Sequence, residues 1–529
     1  MAGDEITYLG FDFSTQQLKG VITNDSFKIL HEVHVQFDKD LPEFRTRSGV
    51  IRDPDGCTVT APTVMWVKAL DLVLEKLRLA GADFSSVASL SGTAQQHGSV
   101  YWQRGARDVL RCLQPSQFLH QQLAACFSLH CAPVWMDSST TVQCRALERA
   151  VGGGRRMAEI TGSTAYERFT ASQIAKLYQK RPSIYNNTER ISLVSSFACS
   201  LLLGDYADID HSDGSGMNLL DIHSKQWCNT LLDATAPDLV SKLGYPVPSY
   251  SVQGTVSKYF VERFDFSPDC KVVSFTGDNP ASLVGMRLRE GDVAVSLGTS
   301  DTVFLPLRAP KTLLEGHVLC SPLEHDAFMA LLCFKNGSKT RERIRDKFAD
   351  GLWTIFDELL ENTPRGNFGN MALFYDVREI IPFAMGEYRF NKHDEPLSRF
   401  TSHEVEIRAL VEGQFVAKRA HAEDMGFHLD SNSRIIATGG ASNNKAILQV
   451  LSDVFNAPVY VLESANSAVL GAAYQAKYGL VADNMTFQEM TECIPPPQQA
   501  CCPYADAAQV YSPMVKRYRK IIATIANEK

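Results

Sequence analysis

An acid stands directly after a short apolar run at Gly277-Asp278-Asn279. A carboxylate at the end of a buried strand can take a proton from a hydroxyl group. The same place suits a helix cap, with Asp278 or Asn279 bonding the first free amides of the next helix. Two further segments are built to hold anions. Asp12-Phe13-Ser14-Thr15 and Leu297-Gly298-Thr299-Ser300-Asp301 each join two β-prone runs through a small, hydroxyl-rich turn. Such turns let backbone amides approach a phosphate closely, although many are plain hairpin turns. Thr438-Gly439-Gly440-Ala441-Ser442-Asn443-Asn444 lies between a strand and a helix. Its glycines admit a flat ring or a phosphate, and a helix N-terminus favours negative charge. The plain alternative is a connecting loop with Ser442 or Asn443 as the helix cap. Gln95-Gln96-His97-Gly98 places a histidine where it can bond a polyol or serve the structure, and no HxH or HxxxH partner makes it a metal site.

The elements that must position these residues follow from the apolar periodicity. Thr7–Phe13, Leu18–Thr23 and Phe27–Phe37 read as three strands with tight connections. Thr63–Leu79 reads as a helix with Val67, Leu70, Leu74 and Leu77 on one face, ended by Gly81. Lys271–Phe275 is a buried-type strand that delivers Asp278, and Ala281–Met286 is helical. A second strand-turn-strand spans Asp292–Leu297 and Thr302–Leu307. Further on, Arg434–Ala437 is a strand, a helix runs to Phe455, Val459–Leu462 is a strand, and Ser467–Tyr478 is a helix. The repeat of one form, strand, hydroxyl-rich turn, strand, predicts two domains of related architecture with a boundary near residue 288.

The chain of 529 residues is too long for one ordinary core, which also argues for two domains. Its net charge of -8 argues against nucleic acid or an anionic membrane as a partner, so an anionic substrate has to be held locally. The start MAGDEITYLGF lacks the basic-then-apolar pattern of a secretory signal, and no run approaches 18 apolar residues. The 13 cysteines form no CxxC pair, which fits reduced thiols and a cytoplasmic location. No G-x-x-x-x-G-K-[ST] and no G-x-S-x-G is present, which excludes a P-loop enzyme and a nucleophile-elbow hydrolase.

Taken in order, these segments resemble the FGGY carbohydrate kinases of the actin-like ATPase superfamily. The resemblance runs through the Asp12 hairpin, Gln96-His97-Gly98, Trp135-Met136-Asp137, Phe169 to Tyr178 and Ser212-Asp213-Gly214-Ser215. It continues through Gly277-Asp278-Asn279, Ser296 to Ser300, Glu412-Gly413-Gln414-Phe415 and Gly439-Gly440. It implies two α/β domains of the ribonuclease H-like (actin-like ATPase) kind with a cleft between them. Residues 1–288 would bind the sugar, 289–485 would bind ATP, and the tail 486–529 would be helical and packed on the second domain. The implied substrates are ATP, with Mg²⁺, and a sugar. Asp278 matches the catalytic base and Asp12 the acid that holds Mg²⁺. Thr15 and the amides of Gly298, Thr299 and Ser300 match the phosphate contacts. Gly439, Gly440, Asn443 and Asn444 match the adenine side, and Trp353 the region lying against the nucleotide. His97, Arg168, Asp278 and Asn279 match the sugar contacts. The wording at Leu41-Pro42-Glu43-Phe44 and Tyr166-Glu167-Arg168-Phe169-Thr170 is similar to the animal branch that phosphorylates D-xylulose on O5. Another ketose or polyol (ribulose, fuculose, gluconate, glycerol) and a non-catalytic sensor are the alternatives. The expected state is a monomer or homodimer. Ser14 departs from the glycine that many relatives carry in the first hairpin.

Overall fold

Thr7–Phe13 (β1) is buried along its whole length, as its nearly unbroken apolar sequence requires of a central strand. Gln17–Asn24 (β2) returns antiparallel beside it and sets Lys19 opposite Asp12, and Ile29–Gln36 (β3) forms the edge. Thr63–Leu79 (α1) lays Trp66, Leu70, Leu74 and Leu77 into the same core as Leu9, Phe11 and Phe13. Each such side chain contributes about 1.5–3 kcal/mol on burial. The helix ends at Leu79, two residues before Gly81, which takes the left-handed conformation expected of a helix terminator. Val87–Ala94 (β4) pairs parallel to β1 and sets Thr93 beside Asp12. Val252–Thr255 (β5) and Lys271–Val273 (β6) extend the sheet to the order β5-β6-β4-β1-β2-β3, and the short strand Thr276–Gly277 pairs parallel with β4 as the seventh. Thr170–Lys180 (α2), His211–Ser215 (α3) and Asp278–Gly285 (α4) carry candidate residues at or next to their ends.

The computed structural model describes residues 6–430, 432–462 and 466–527. Residues 1–5 of the expected leaderless start and 528–529 of the expected tail lie outside them. The chain forms two units, the first from residues up to 287 with 308–328 and 466–495, the second from 288–307, 329–465 and 496 onward. These units are not continuous stretches of chain, since 466–495 rejoins the first. The physical reason is backbone packing. A Cβ on Gly285 would stand 1.9 Å from the Ser467 carbonyl oxygen, and one on Gly471 would stand 1.9 Å from that of Ala281. The helix Ser467–Val481 thus packs backbone to backbone on α4 and returns to the first unit.

The second unit repeats the scheme. Asp292–Leu297 (β7) and Asp301–Leu307 (β8) form an antiparallel hairpin, and Phe328–Phe334 (β9) lies beyond β8. Arg434–Thr438 (β10) pairs parallel to β7 with Thr438 beside Ser296. Val459–Val461 (β11) and Gln498–Cys501 (β12) extend the sheet. Ser338–Phe348 (α5), Trp353–Asn362 (α6), His403–Met425 (α7) and Lys445–Phe455 (α8) belong to this unit. Ala507–Asn527 (α9) docks on α7 through Tyr511, whose hydroxyl donates to Glu412 Oε1 at 2.6 Å. Among the described residues no helix is long and apolar enough to cross a membrane.

Candidate active site

In the first unit, Asp278 opens α4, and the cap position is Gly277, which has no side chain to bond the free amides. The Asp278 carboxylate itself meets the backbone amides of Asp278 and Asn279, which favour its ionised form. It is half-buried and accepts a hydrogen bond from Asn279 Nδ2 at 3.1 Å. Burial first, and then the charge on Asp12, push its pKa up to about 7. Asp12 is buried at the end of β1, and its pKa rises to about 6 through burial, against the opposing hydrogen bond of Ser14 and the charge of Lys19. Ser14 Oγ donates to Asp12 Oδ2 at 2.6 Å, while Asp12 Oδ1 is buried with no hydrogen-bond partner. Thr15 Oγ1 accepts from Trp135 Nε1 at 2.9 Å, which leaves its hydroxyl proton free to donate. A cavity of about 510 Å³ is lined by Ser14, Thr15, Lys39 and Asp278.

His97 sits on the same unit in a left-handed backbone conformation, with φ of 70°. A non-glycine residue held there stores strain that its surroundings must sustain. Its ring lies 4.3 Å, centroid to centroid, from Phe169, and its carbonyl accepts from Thr170 Oγ1 at 3.0 Å, at the start of α2. His97 Nδ1 is 2.9 Å from the carbonyl oxygen of Gly216, which can only accept, so Nδ1 carries the proton. Burial, then the nearby Arg168 and His317, hold its pKa well below the ordinary value. The ring is neutral, and Nε2 offers a lone pair. Arg168 lies 4.6 Å from the centre of the Tyr166 ring and 5.8 Å from that of Trp135. Those aromatic faces hold its guanidinium with donors to spare.

In the second unit, Gly298, Thr299 and Ser300 form the β7–β8 turn, with Thr299 and Ser300 exposed. Asp301, directly after it, is fully buried and takes Arg341 Nη1 and Nη2 at 2.8 and 2.9 Å and Lys418 Nζ at 2.9 Å. Burial alone would raise the Asp301 pKa, but Lys418 and Arg341 overcome it and hold the acid ionised. Ser338 N donates to the Gly298 carbonyl at 2.9 Å, so the turn is braced from α5 as well. Gly439, with φ of 84°, packs against this hairpin, since a Cβ there would stand 2.6 Å from the Leu297 carbonyl oxygen. Gly439 and Gly440 are exposed, and so is Asn443.

The helix cap is Asn444, not Ser442 or Asn443. Its Oδ1 accepts from Ile447 N at 2.9 Å and its Nδ2 donates to Asp357 Oδ1 at 2.7 Å. Asp357 stands one helical turn after Trp353 on α6, which puts that tryptophan on the same face. The Trp353 ring is already covered by Arg345 at 4.7 Å. Sequence reasoning missed Gln96 and Asp213 as site residues. Asn279 Nδ2 donates to Gln96 Oε1 at 2.8 Å, and Gln96 Nε2 faces Asp213 Oδ1 at 3.5 Å. Both residues stood in quoted motifs, but no spacing links them. Trp135 and Tyr166 were missed for the same reason, and His317 stood in no quoted motif.

The sequence model of the FGGY family of carbohydrate kinases, N-terminal domain, matches residues 127–285, and that of the C-terminal domain matches residues 293–480. The xylulose kinase of Rattus norvegicus is 56% identical, with 97% of this chain and 96% of that protein covered. Xylulose kinase 2 of Arabidopsis thaliana is 47% identical, with 89% and 87% covered. Among solved structures, xylulose kinase from Rhodospirillum rubrum aligns at a TM-score of 0.81 and 17% identity over 98% of each chain. Plasmodium falciparum glycerol kinase with ADP aligns at 0.76 and 16% identity, also over 98% of each chain. At these identities the likeness shows the fold, two α/β domains of the actin-like ATPase kind.

Proposed function

The chain belongs to the FGGY family of carbohydrate kinases, and from that membership we propose that it transfers the γ-phosphoryl group of ATP to O5 of D-xylulose. The products are D-xylulose 5-phosphate and ADP. The choice of sugar rests on the nearly full-length likeness to the rat and Arabidopsis xylulose kinases. The observation that carries the chemistry is Asp278, a carboxylate at a helix start that lines the cavity beside Thr15 and whose pKa stands at about 7. A base poised near the working pH takes a hydroxyl proton efficiently.

Asp278 accepts the O5 proton as O5 bonds to phosphorus. The bond from phosphorus to the bridging oxygen breaks, and its electron pair leaves with ADP. His97 Nε2, Asn279 and Arg168 orient the sugar, the first as an acceptor and the last as a donor. The Thr15 hydroxyl and the amides of Gly298, Thr299 and Ser300 bind phosphate oxygens. Gly439, Gly440 and Asn443 face the adenine, and Trp353 gives that region an apolar wall. Asn444 shapes the loop as its cap, with one Nδ2 proton left to donate.

The buried, unpartnered Oδ1 of Asp12 fits a cation, and we assign it to Mg²⁺ held through water. When bound, that ion would neutralise charge on the β- and γ-phosphates. Cys126, Cys144, Cys199, Cys270 and Cys320 are buried as free thiols, which supports placing the enzyme in the reducing cytosol. The test is product structure. Nuclear magnetic resonance of the sugar phosphate formed from ATP and D-xylulose should place phosphorus on the C5 oxygen. Phosphate on another carbon, or no sugar phosphate, overturns the proposal.

A further inference from the structure

The amide of Asn279 has no freedom left on its nitrogen. Nδ2 donates one proton to Asp278 Oδ1 at 3.1 Å and the other to Gln96 Oε1 at 2.8 Å. No hydrogen bond from a described residue reaches Asn279 Oδ1. A flipped Asn279 amide would set its Oδ1 against the Asp278 carboxylate and against Gln96 Oε1, acceptor facing acceptor. Gln96 is oriented from its far end, where Nε2 faces Asp213 Oδ1 at 3.5 Å and Ser195 Oγ donates to Asp213 Oδ2 at 2.5 Å. Gln96 and Asp213 are both buried. The space they occupy exists because residue 277 is glycine. A Cβ there would stand 2.6 Å from Gln96 Cγ and 2.8 Å from Asp213 Oδ1.

We propose that Gln96 and Asp213 are positioning residues that lock Asn279 with its carbonyl oxygen as the substrate-facing atom, so that the site selects a sugar hydroxyl at that point. The proposal rests on the sugar-kinase reading above and adds how specificity is set. One short segment, residues 213–216, then fixes two acceptors at once. Asp213 acts on Asn279 Oδ1 through Gln96, and the Gly216 carbonyl fixes His97 Nε2 by taking the Nδ1 proton. Acceptors held this way recognise hydroxyl hydrogens and are left unpaired by a deoxy sugar. Asp213 lies among Asp210 and Asp278, and burial with those charges raises its pKa well above the ordinary value. Toward Gln96 the Asp213 side chain presents one acceptor oxygen, Oδ1, and an asparagine supplies the same.

The experiment measures kcat/KM of the full chain for D-xylulose and for its monodeoxy analogues. Wild type should reject one analogue by about tenfold or more, the loss expected for an unpaired buried acceptor. Asn279→Ala and Gln96→Met should both lose that discrimination, and the double variant should be no worse than either. The KM for ATP should stay unchanged in Gln96→Met. Asp213→Asn should keep the discrimination and Asp213→Leu should lose it. A Gln96→Met protein that melts like wild type yet keeps full discrimination overturns the positioning role, as do additive losses in the double variant. A wild type inactive on every ketose overturns the sugar-kinase reading itself, and the proposal with it.

Discussion

The charge on Asp12 is, after burial, what holds the Asp278 carboxyl up at about 7. Asp12 stands at about 6 itself, raised by burial against Ser14 and Lys19. Two neighbouring acids withdrawn from water resist ionising together.

That relationship sets the pH dependence of the reaction. The base acts when ionised, so kcat/KM for the sugar should rise about tenfold per pH unit below a midpoint near 7 and level off above it. Raising the magnesium concentration should lower the midpoint, because a cation at Asp12 offsets its charge. A flat profile from about pH 5 to pH 8 contradicts the assignment.

The same shift carries a stability cost of known sign. Asp278 goes from an ordinary 3.8 to about 7 on folding, so its protonated form favours the folded state. That contribution is fully present below the unfolded value and is lost as pH rises through the folded one. Asp278→Asn is neutral throughout. It should therefore stabilise the protein by up to about 4 kcal/mol at pH 8, with the gain fading toward pH 4. Melting curves across that range check it, and a pH-independent difference would count against it.

Much of this site was legible locally. Both hairpins, the helix Thr63–Leu79 and the strand-to-helix step at Asp278 are written in short stretches of sequence, because strand and helix periodicities and glycine turns are local signals. The cap of α8 was missed by one or two residues, since Ser442, Asn443 and Asn444 are all good capping types and only geometry chooses among them. The return of residues 466–495 to the first unit depends on a glycine meeting a glycine across nearly two hundred residues. Gln96 lies 117 residues from Asp213 and 183 from Asn279, and no pattern of one residue type announces such a chain.

The brace beneath the β7–β8 turn should be indispensable to the second unit. Arg341 and Asp301 have no exposed side-chain surface. Removing one partner of such a pair costs about 3–5 kcal/mol, because the other charge stays buried. Arg341→Met should lower the denaturant midpoint accordingly. An unchanged midpoint would show that Lys418 alone satisfies Asp301.

The contact between α4 and the helix Ser467–Val481 leaves no room for a side chain. Gly471→Val should force the helices apart, at a cost above the roughly 1–3 kcal/mol of ordinary overpacking. It should also reduce kcat by displacing Asp278 at the start of α4. Wild-type melting and turnover in this variant would show that the helices can separate freely.

The most direct test of the central claim is a coupled assay of ADP release by the full chain, with ATP, Mg²⁺ and a panel of ketoses and polyols, run beside Asp278→Asn. The account predicts ADP release that depends on D-xylulose above the other sugars, and a loss of about 10²–10⁴-fold in Asp278→Asn. Preference for another sugar would overturn the substrate, and wild-type turnover in Asp278→Asn would overturn the base. ATP binding without any sugar-dependent ADP release would contradict catalysis altogether.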